Sequence, residues 1–474
     1  MAPLLIKHPS AAASKCALPR AALLAAALLL GPCVAPASGL PATALPTGGS
    51  VVAGDARISV GGASMEVTQL GARAVVNWDS FNVGRDAEVR FRQPGAGSVI
   101  LNRVVGAEAS EVHGRITANG QVFLVNSSGI YFSPTSRVDV GGLLATTASI
   151  SDEDFMAGRH RFVESAGSGR VINEGELTAA AGGYVALLAP EVRNAGIIVA
   201  PAGTVALASG AAFSFAFDAE RTAVSLLVEP SRVAALVENR RAILAREGAI
   251  ILSAQGYSSL VSGIVSNSGT LDASGISKSG GRVLLTGDTV AHDGIVDVSS
   301  SAADGGSAIL WADPAKPGTA TSVSGSIDAR GAGRGGFIET SAERFELAAD
   351  ASILAGAGGT WLIDPTDIVI GSTEAATYAA SLNAGTAVSL LATNTITLSS
   401  SLSAGGAAAL TLTAGNGIAL DAGITRSGTG GVVLEAGAGG LTGAGNIALT
   451  GGSGLTVNQS GNTTYSGSTS GTGA

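Results

Sequence analysis

The chain has 474 residues, of which 68 are glycine, while 46% are apolar and only 4% are aromatic. High apolar content with little charge disfavours a disordered chain, and it favours narrow cores of small and β-branched side chains. The formal net charge of −9 argues against nucleic acid or an anionic membrane as the main partner. We therefore expect an elongated and repetitive all-β protein.

The N-terminus has the pattern of a secretory signal peptide over residues 1–37. A ten-residue apolar run from Ala21 to Leu30 follows three basic residues and precedes the cleavage motif Ala35-Pro36-Ala37, with a second candidate motif at 42–44. Cleavage after Ala37 would remove those basic residues and both cysteines, which takes the net charge from −9 to −12 and leaves no disulfide. No later apolar run is long enough to span a bilayer, so we expect no membrane anchor.

Residues 71–147 are a series of short β-type segments. The runs VVNW, EVRF, SVILN and QVFLVN are each bounded by glycine, asparagine, proline or serine. This spacing is typical of a chain built from short strands and tight turns.

After residue 165 one unit recurs in degenerate form. It consists of a hydrophobic residue, an asparagine, a small residue and a glycine, followed by two short strands, and copies begin at Val171, Val192 and Val265. Asn173 and Asn194 are 21 residues apart, and repeats of this length indicate a solenoid or a propeller. Because the repeats contain no helix, they predict a parallel β-helix whose rungs hydrogen-bond to their neighbours.

The recurring asparagine and glycine have a predicted role at the corners of the rungs. An asparagine there can adopt the left-handed backbone conformation and stack on the asparagine of the next rung, which satisfies buried backbone groups. The glycine that follows would supply a positive φ without steric cost.

One segment departs from the strand pattern. Residues 230–247 carry apolar side chains with helical spacing, followed by a stop signal at Gly248. This pattern predicts one short extra-helical α-helix packed beside the β-helix. A partner-binding helix is the alternative, and we prefer a simple excursion.

The order of the motifs in the first half of the chain resembles that in a known family. NWDSFNVGRDAEVRF (77–91), SVILNRVVG (98–106), ITANGQVFLVN (116–126) and SDEDFMAGRHRF (151–162) resemble the N-terminal secretion domain of filamentous-haemagglutinin-type exoproteins. These are the secreted partners of two-partner secretion systems in Gram-negative bacteria. The resemblance implies a right-handed parallel β-helix with an N-terminal cap. It also implies binding to the periplasmic domains of an outer-membrane transporter while the chain is largely unfolded.

One tetrapeptide departs from the family pattern. The family often has Asn-Pro-Asn-Gly where this chain has Asn126-Ser127-Ser128-Gly129, and we expect the turn to be kept but to be less rigid. The family's Asn-Pro-Asn-Leu tetrapeptide is absent. By resemblance, the residues expected to carry transporter recognition are Asn77, Phe81, Asn102, Asn119, Gly120, Asn126, Gly129 and Ile130.

The sequence offers few groups for catalysis or metal binding. Three histidines follow the signal peptide (His113, His160 and His292), and none is spaced with another for metal binding. A GxGxxG match at residues 331–336 lies between two predicted strands without a following helix, so we interpret it as a turn. We therefore expect no enzyme, no cofactor and no metal.

A recurring aspartate is the best enzymatic clue. Asp272, Asp297 and Asp328 take matching positions in three repeats. β-Helix enzymes that cleave polysaccharides use such carboxylates as an acid pair or a calcium site. The more ordinary interpretation, which we prefer, is that each aspartate caps the turn after its strand.

Together these patterns predict a signal peptide (1–37), a capped β-helical secretion domain (45–290), further rungs (291–350) and Gly/Ala/Thr-rich solenoid repeats (351–474) whose pattern stops part-way. The predicted function is that of an adhesin or haemagglutinin-like protein. It would pass through the periplasm of a Gram-negative bacterium, be secreted or held at the cell surface, and bind a host-cell glycan or protein receptor rather than nucleic acid. The alternatives are the N-terminal part of a contact-dependent toxin or cytolysin and, with less support, a β-helix polysaccharide lyase or hydrolase.

Overall fold

The computed structural model describes residues 39–164, 167–217, 224–231, 233–257 and 261–471, so the predicted signal peptide lies outside the described residues. Short strands with alternating side chains dominate these ranges, because every second residue is apolar and glycines allow sharp corners. The strands pair in parallel between successive turns of the chain, so the protein is a parallel β-helix. Up to residue 354 each rung contributes one strand to each of three faces, named A, B and C.

The three faces contain the following strands in chain order. Face A contains Glu88–Arg92, Arg115–Ala118, Arg137–Val140, Glu176–Ala179, Ile197–Val199, Ala242–Leu244, Thr270–Asp272, Ile295–Asp297, Ser326–Asp328 and Ser352–Leu354. Face B contains Val99–Val104, Gln121–Val125, Gly142–Thr146, Tyr184–Leu188, Thr204–Ser209, Ala249–Ala254, Arg282–Gly287, Ser307–Trp311, Phe337–Ser341, Thr360–Asp364, Ala387–Ala392, Leu410–Ala414, Val432–Ala436 and Leu455–Gln459. Face C contains Ser110–Val112, Ile130–Phe132, Arg170–Asn173, Glu191–Asn194, Ala235–Asn239, Gly263–Asn267, Thr289–His292, Ala320–Val323 and Arg344–Leu347.

An antiparallel hairpin covers the first rung. Its strands, Ser50–Gly61 and Ser64–Trp78, pair with each other, and the second strand also pairs in parallel with the first strands of faces A and B. Trp78 and Phe81 are fully buried beneath it, with their rings edge to face at 5.6 Å. The hairpin is therefore the N-terminal cap that the family resemblance implies.

The interior is a set of apolar columns that run along the β-helix axis. On face C one column consists of five valines in direct register, each with 0% exposure: Val171, Val192, Val237, Val265 and Val290. Full burial of a valine side chain is worth about 1.5–3 kcal/mol relative to exposure. Repetition of small columns thus replaces the bulky aromatic core of a globular domain, as the composition predicts.

A small antiparallel sheet covers part of the outer surface of face B. It contains His160–Val163, Ala212–Phe217 and Val224–Glu229, and the helix Asp152–Met156, with Ser151 as its N-cap, lies beside it. Phe123 of face B contacts Phe155 and Phe162 in this layer, with ring centroids 5.8 and 6.0 Å apart. The outer layer therefore has its own hydrophobic core.

The α-helix predicted over residues 230–247 is wrong. In its place the chain forms the strands Ala235–Asn239 of face C and Ala242–Leu244 of face A. Val237 and Ile243 point inward in these strands, whereas Leu236 and Glu238 point outward. A two-residue corner between the strands shifts the alternation, and this shift gives apolar residues a spacing that resembles that of a helix.

The cross-section changes after residue 354. Face C ends at Arg344–Leu347, and the helix Ser372–Asn383, which the sequence analysis missed, packs its Tyr378 edge to face against Trp361 at 5.3 Å. Face B continues, and two new parallel sheets replace faces A and C. One contains Ile368–Ile370, Thr395–Leu398, Gly417–Leu420 and Gly440–Thr442, and the other contains Leu402–Ala404, Ile424–Arg426, Ile447–Leu449 and Thr469–Gly471.

Candidate functional site

A column of buried amides links five rungs at the end of the face C strands. Asn173 donates from Nδ2 to Oδ1 of Asn194 at 2.7 Å, Asn194 donates to Asn239 at 2.8 Å, and Asn239 donates to Asn267 at 2.7 Å. Asn267 then contacts Nδ1 of His292 at 3.1 Å. None of these side chains is more than 1% exposed. The predicted stacking of asparagines is confirmed.

The predicted backbone conformation at these corners is wrong. Among the described residues other than glycine, only Ala202 and Glu247 have positive φ, and the glycine two positions after Asn194 does not have it either. A Cβ added to that residue, Gly196, would lie 2.2 Å from the carbonyl oxygen of Gly175 in the rung below. Glycine is therefore required here by the close approach of two backbones and not by φ.

His292 ends the amide column in a defined protonation state. Its Nδ1 accepts from the Asn267 amide, and its Nε2 donates to the carbonyl oxygen of Ser326 at 3.1 Å. Burial lowers the pKa of the imidazole below its usual range. The folded protein thus holds His292 neutral with the proton on Nε2.

Three of the predicted recognition residues lie around the cap. Asn102 is fully buried, where its Oδ1 accepts from Nε1 of Trp78 at 3.1 Å and its Nδ2 donates to the carbonyl of Phe123. Phe81 fills the cap interior, and the half-buried Asn77 accepts from Arg103 at 3.3 Å. In the folded chain these groups hold the cap together.

Two further candidates lie at the corner before the second strand of face B. Asn119 is exposed, and its side chain bonds both the backbone N–H and the carbonyl of Gln93 at 2.8 Å each. A Cβ on Gly120 would lie 2.8 Å from the backbone carbonyl oxygen of Ser98, so the close approach of the backbone favours glycine here. This corner positions the buried Gln93 amide between rungs.

The last three candidates form one turn. The Asn126 side chain donates to the carbonyl of Glu108 and to Oγ of Ser110, both at 2.9 Å, and accepts from the N–H of Ser128 at 2.9 Å. Gly129 has φ of 120°, and its N–H donates to the Asn126 carbonyl at 3.1 Å. The turn is formed without the family's proline, and Ile130 enters the core directly after it.

These positions restrict how a partner can read them. Six of the eight predicted residues are buried in the folded chain, Asn77 is half-buried and only Asn119 is exposed. A partner that contacts the buried six must therefore meet the chain before it folds. Their role in recognition stays a prediction.

The recurring aspartates stack on face A and cap the turns that follow them. Asp272 pairs in register with Asp297, and Asp297 with Asp328. Oδ1 of Asp272 accepts from the N–H and Oγ of Ser274, at 3.0 and 2.6 Å, and Asp297 repeats this arrangement with Ser299. The capping interpretation is confirmed.

The described part of the chain shows neither a metal centre nor a membrane-spanning helix. No group of three or more histidine, cysteine, aspartate or glutamate side chains is placed there to hold a metal ion. Within the same ranges, no helix combines the length and the apolar character needed to cross a bilayer.

Sequence reasoning missed the outer layer on face B. Its strands carry Phe162, Phe213 and Phe215 on the side that faces the β-helix, and all three are buried. The alternation in HRFV and AFSFAF was a usable strand signal. It does not show that these strands leave the rungs and pair antiparallel.

Comparison with known proteins places these features in context. A family model described as the TPS secretion domain matches residues 42–298. The heme/hemopexin-binding protein of Haemophilus influenzae strain Rd is 33% identical over 250 residues, which is 51% of this chain and 27% of that protein. A second Haemophilus influenzae heme/hemopexin-binding protein is 33% identical over 245 residues, or 47% of this chain and 26% of that protein. The shared segment thus spans about a quarter of these relatives.

A solved structure shares the architecture. The HMW1 secretion domain from Haemophilus influenzae superposes with a TM-score of 0.56 at 24% identity, covering 73% of this chain and 99% of that one. This similarity supports the fold, a β-helix of the secretion-domain type.

Proposed function

Since this chain belongs to the TPS secretion domain family and is a two-partner secretion exoprotein, we propose that an outer-membrane transporter of a Gram-negative bacterium recognises it in the periplasm and exports it. The observation that carries the proposal is the family match over residues 42–298, which includes the cap and all eight candidate recognition residues. The exported chain then folds outside the cell or at its surface.

Burial of the candidate residues supports recognition before folding. Asn126 has three side-chain bonds in the folded turn and no exposed surface. An unfolded chain presents the same amide and the adjacent β-type segment as an extended peptide, which suits strand addition to a periplasmic domain. Rung-by-rung stacking then favours forward movement, because each new rung buries a further apolar layer.

Outside the cell we propose a binding role as an adhesin or haemagglutinin-like protein, with a host-cell glycan or protein as receptor. Long faces of repeated side chains suit multivalent contacts. We propose binding rather than catalysis because the recurrent Asp272 and Asp297 carboxylates are held by the turns they cap.

The names of the relatives suggest a second candidate function. Both relatives are called heme/hemopexin-binding proteins, and each shares about a quarter of its length with this chain. Titration of the secreted protein with heme, followed by absorbance in the Soret region, and with immobilised hemopexin would test this candidate directly.

The export proposal is tested by expressing the chain with and without its partner outer-membrane transporter and measuring the total amount of the protein in the medium, whether or not it resists protease. We expect release only with the transporter. Asn126→Ala should abolish release, whereas the matched control Asn194→Ala removes an equally buried amide outside the predicted recognition set and should leave release largely intact. Equal loss in both variants would assign the effect to folding, and release without the transporter would refute the proposal.

A further inference from the structure

An open groove of about 680 Å³ lies at the corner between faces A and B and is lined by residues of five consecutive rungs. Its lining includes Arg282, Ser307, Phe337 and Thr360. These four side chains occupy one column in register on face B, so they follow one another at the rung spacing of about 4.8 Å. The groove therefore presents a cation, a hydroxyl, an aromatic ring and a second hydroxyl in line along the β-helix axis.

Three stacked loops form one wall of the groove. They comprise residues 273–281, 298–306 and 329–336, and the third contains the GxGxxG match. Backbone bonds join them, from Gly280 N–H to the Asp304 carbonyl at 3.0 Å and from Gly305 N–H to the Arg334 carbonyl at 2.9 Å. The aspartates of face A cap each loop where it leaves its strand. Hydrogen bonds between the loops and from the capping aspartates thus fix the position of the wall.

The floor of the groove has no side chains because glycines stack there. A Cβ on Gly281 would lie 2.0 Å from the carbonyl oxygen of Gly248, and a Cβ on Gly306 would lie 2.1 Å from that of Gly281. Close packing of rungs explains the glycines by itself. Its consequence is that a ligand in the groove can approach the backbone directly.

Two arginines give the groove its charge. Arg282 and Arg334 are exposed, and within the described ranges neither forms an ion pair, whereas nearby arginines do: Arg246 pairs with Asp272 at 2.8 Å and Arg330 with Asp328 at 2.6 Å. Asp304, the acid among the lining residues, accepts from the Arg334 backbone N–H at 2.8 Å.

We propose that this groove binds an extended oligosaccharide that carries carboxylate or sulfate groups. The guanidinium of arginine matches both anions with paired hydrogen bonds. Ser307 and Thr360 can bond sugar hydroxyls, and Phe337 offers an apolar face to a sugar ring. The repeat of the column is close to the length of one sugar unit in an extended chain, so successive units meet successive rungs. This inference rests on the surface-binding role proposed above and names its ligand class and its site.

Binding is tested by isothermal titration calorimetry on the folded, secreted chain. The probes are a sulfated chondroitin hexasaccharide, the same hexasaccharide without sulfate, and neutral cellohexaose. We expect one or both chondroitin probes to bind and cellohexaose not to bind. The sulfated and unsulfated arms distinguish sulfate from carboxylate recognition. Equal binding of cellohexaose, or no binding of any probe, would overturn the proposal.

Variants locate the binding site. Arg282→Gln and Arg334→Gln should each weaken binding by about tenfold, because each removes a charge-assisted hydrogen bond. The matched control is Arg344→Gln, which removes an exposed arginine from face C that has no ion pair in the described part of the chain. Equal weakening by the control would mean that overall charge governs binding, and would overturn the assignment. Unchanged thermal unfolding of each variant shows that the fold is kept.

The same variants separate this inference from the export proposal. Arg282→Gln and Arg334→Gln should be released by the transporter as efficiently as the unaltered chain, because both residues are exposed and neither belongs to the predicted recognition set. Normal release with no saccharide binding overturns the groove alone. Transporter-independent release overturns the export proposal, while calorimetry on the same folded protein still decides the groove.

Discussion

Removal of one amide from the middle of the buried column should destabilise the rungs around it. In Asn194→Ala the Nδ2 donor of Asn173, the Oδ1 acceptor of Asn239 and the N–H of Gly196 all lose a partner, at 2.7, 2.8 and 3.3 Å respectively. Each orphaned polar group in a dry interior costs about 1–3 kcal/mol. With partial relaxation around the new cavity, we expect a loss of about 4 kcal/mol in the free energy of local unfolding.

Hydrogen exchange is the appropriate assay because rungs contact mainly their neighbours and open locally. The amides of Val192 and Val237 flank the substitution and report the loss directly. The matched control is Asn416→Ala, where Nδ2 lies 3.5 Å from Oδ1 of Asn394 in a cross-rung pair that is exposed to water. It should cost less than about 0.5 kcal/mol. A loss below about 1 kcal/mol in Asn194→Ala, or one equal to the control, would refute the reasoning.

Two further predictions concern pH and backbone packing. The folded pKa of His292 is lowered by burial, so its contribution to stability is complete above the unfolded value of about 6.5 and is lost as pH falls below it. In His292→Asn the fall in the urea midpoint between pH 7 and pH 5 should shrink. Burial raises the pKa of Glu164 to about 7, so the contribution of Glu164 to stability grows as pH falls, which opposes the effect of His292. His292→Asn is therefore compared with the parent chain in a Glu164→Gln background. An unchanged fall of the urea midpoint in that background would contradict the role of His292. Gly196→Ala should lower the free energy of unfolding by about 1–3 kcal/mol, because its Cβ would overlap a backbone carbonyl. The control Gly95→Ala should be nearly neutral in thermal unfolding, because its Cβ meets open space. Similar losses in the two variants would refute the close-approach argument.

The rungs could be predicted because their signals are local. Alternation of inward and outward side chains has a period of two, and the spacing of Asn173 and Asn194 places two asparagines one rung apart. Stacking of these side chains follows from the repeat alone. The local sequence does not show whether a glycine is needed for a positive φ or for the close approach of two backbones. At Gly196 the obstructing atom belongs to Gly175 in another rung.

Two other features depend on contacts between distant segments. The strands Ala235–Asn239 and Ala242–Leu244 share their apolar spacing with a helix, and their pairing with rungs on both sides decides between the two. The outer strand His160–Val163 pairs with Ala212–Phe217, a segment two rungs later in the chain. No local pattern specifies that pairing.

The role of the candidate recognition residues cannot be predicted from the folded structure. Sequence resemblance singled out Asn102 and Asn126, and the folded structure shows both at 0% exposure with their bonds satisfied. The folded geometry therefore describes what these residues do after export. The state in which a transporter would read them is the unfolded chain, which a folded structure does not contain.

The direction of the bonds between rungs determines how this protein bears load. These bonds lie along the long axis, and the covalent chain enters each rung at a single corner. A force applied to the chain ends therefore breaks the hydrogen bonds of a terminal rung one after another, while the deeper rungs keep all their hydrogen bonds. Under tension the protein should lengthen in small steps, because one rung at a time is released and energy is dissipated at each step, and it should not unfold all at once at a single threshold force.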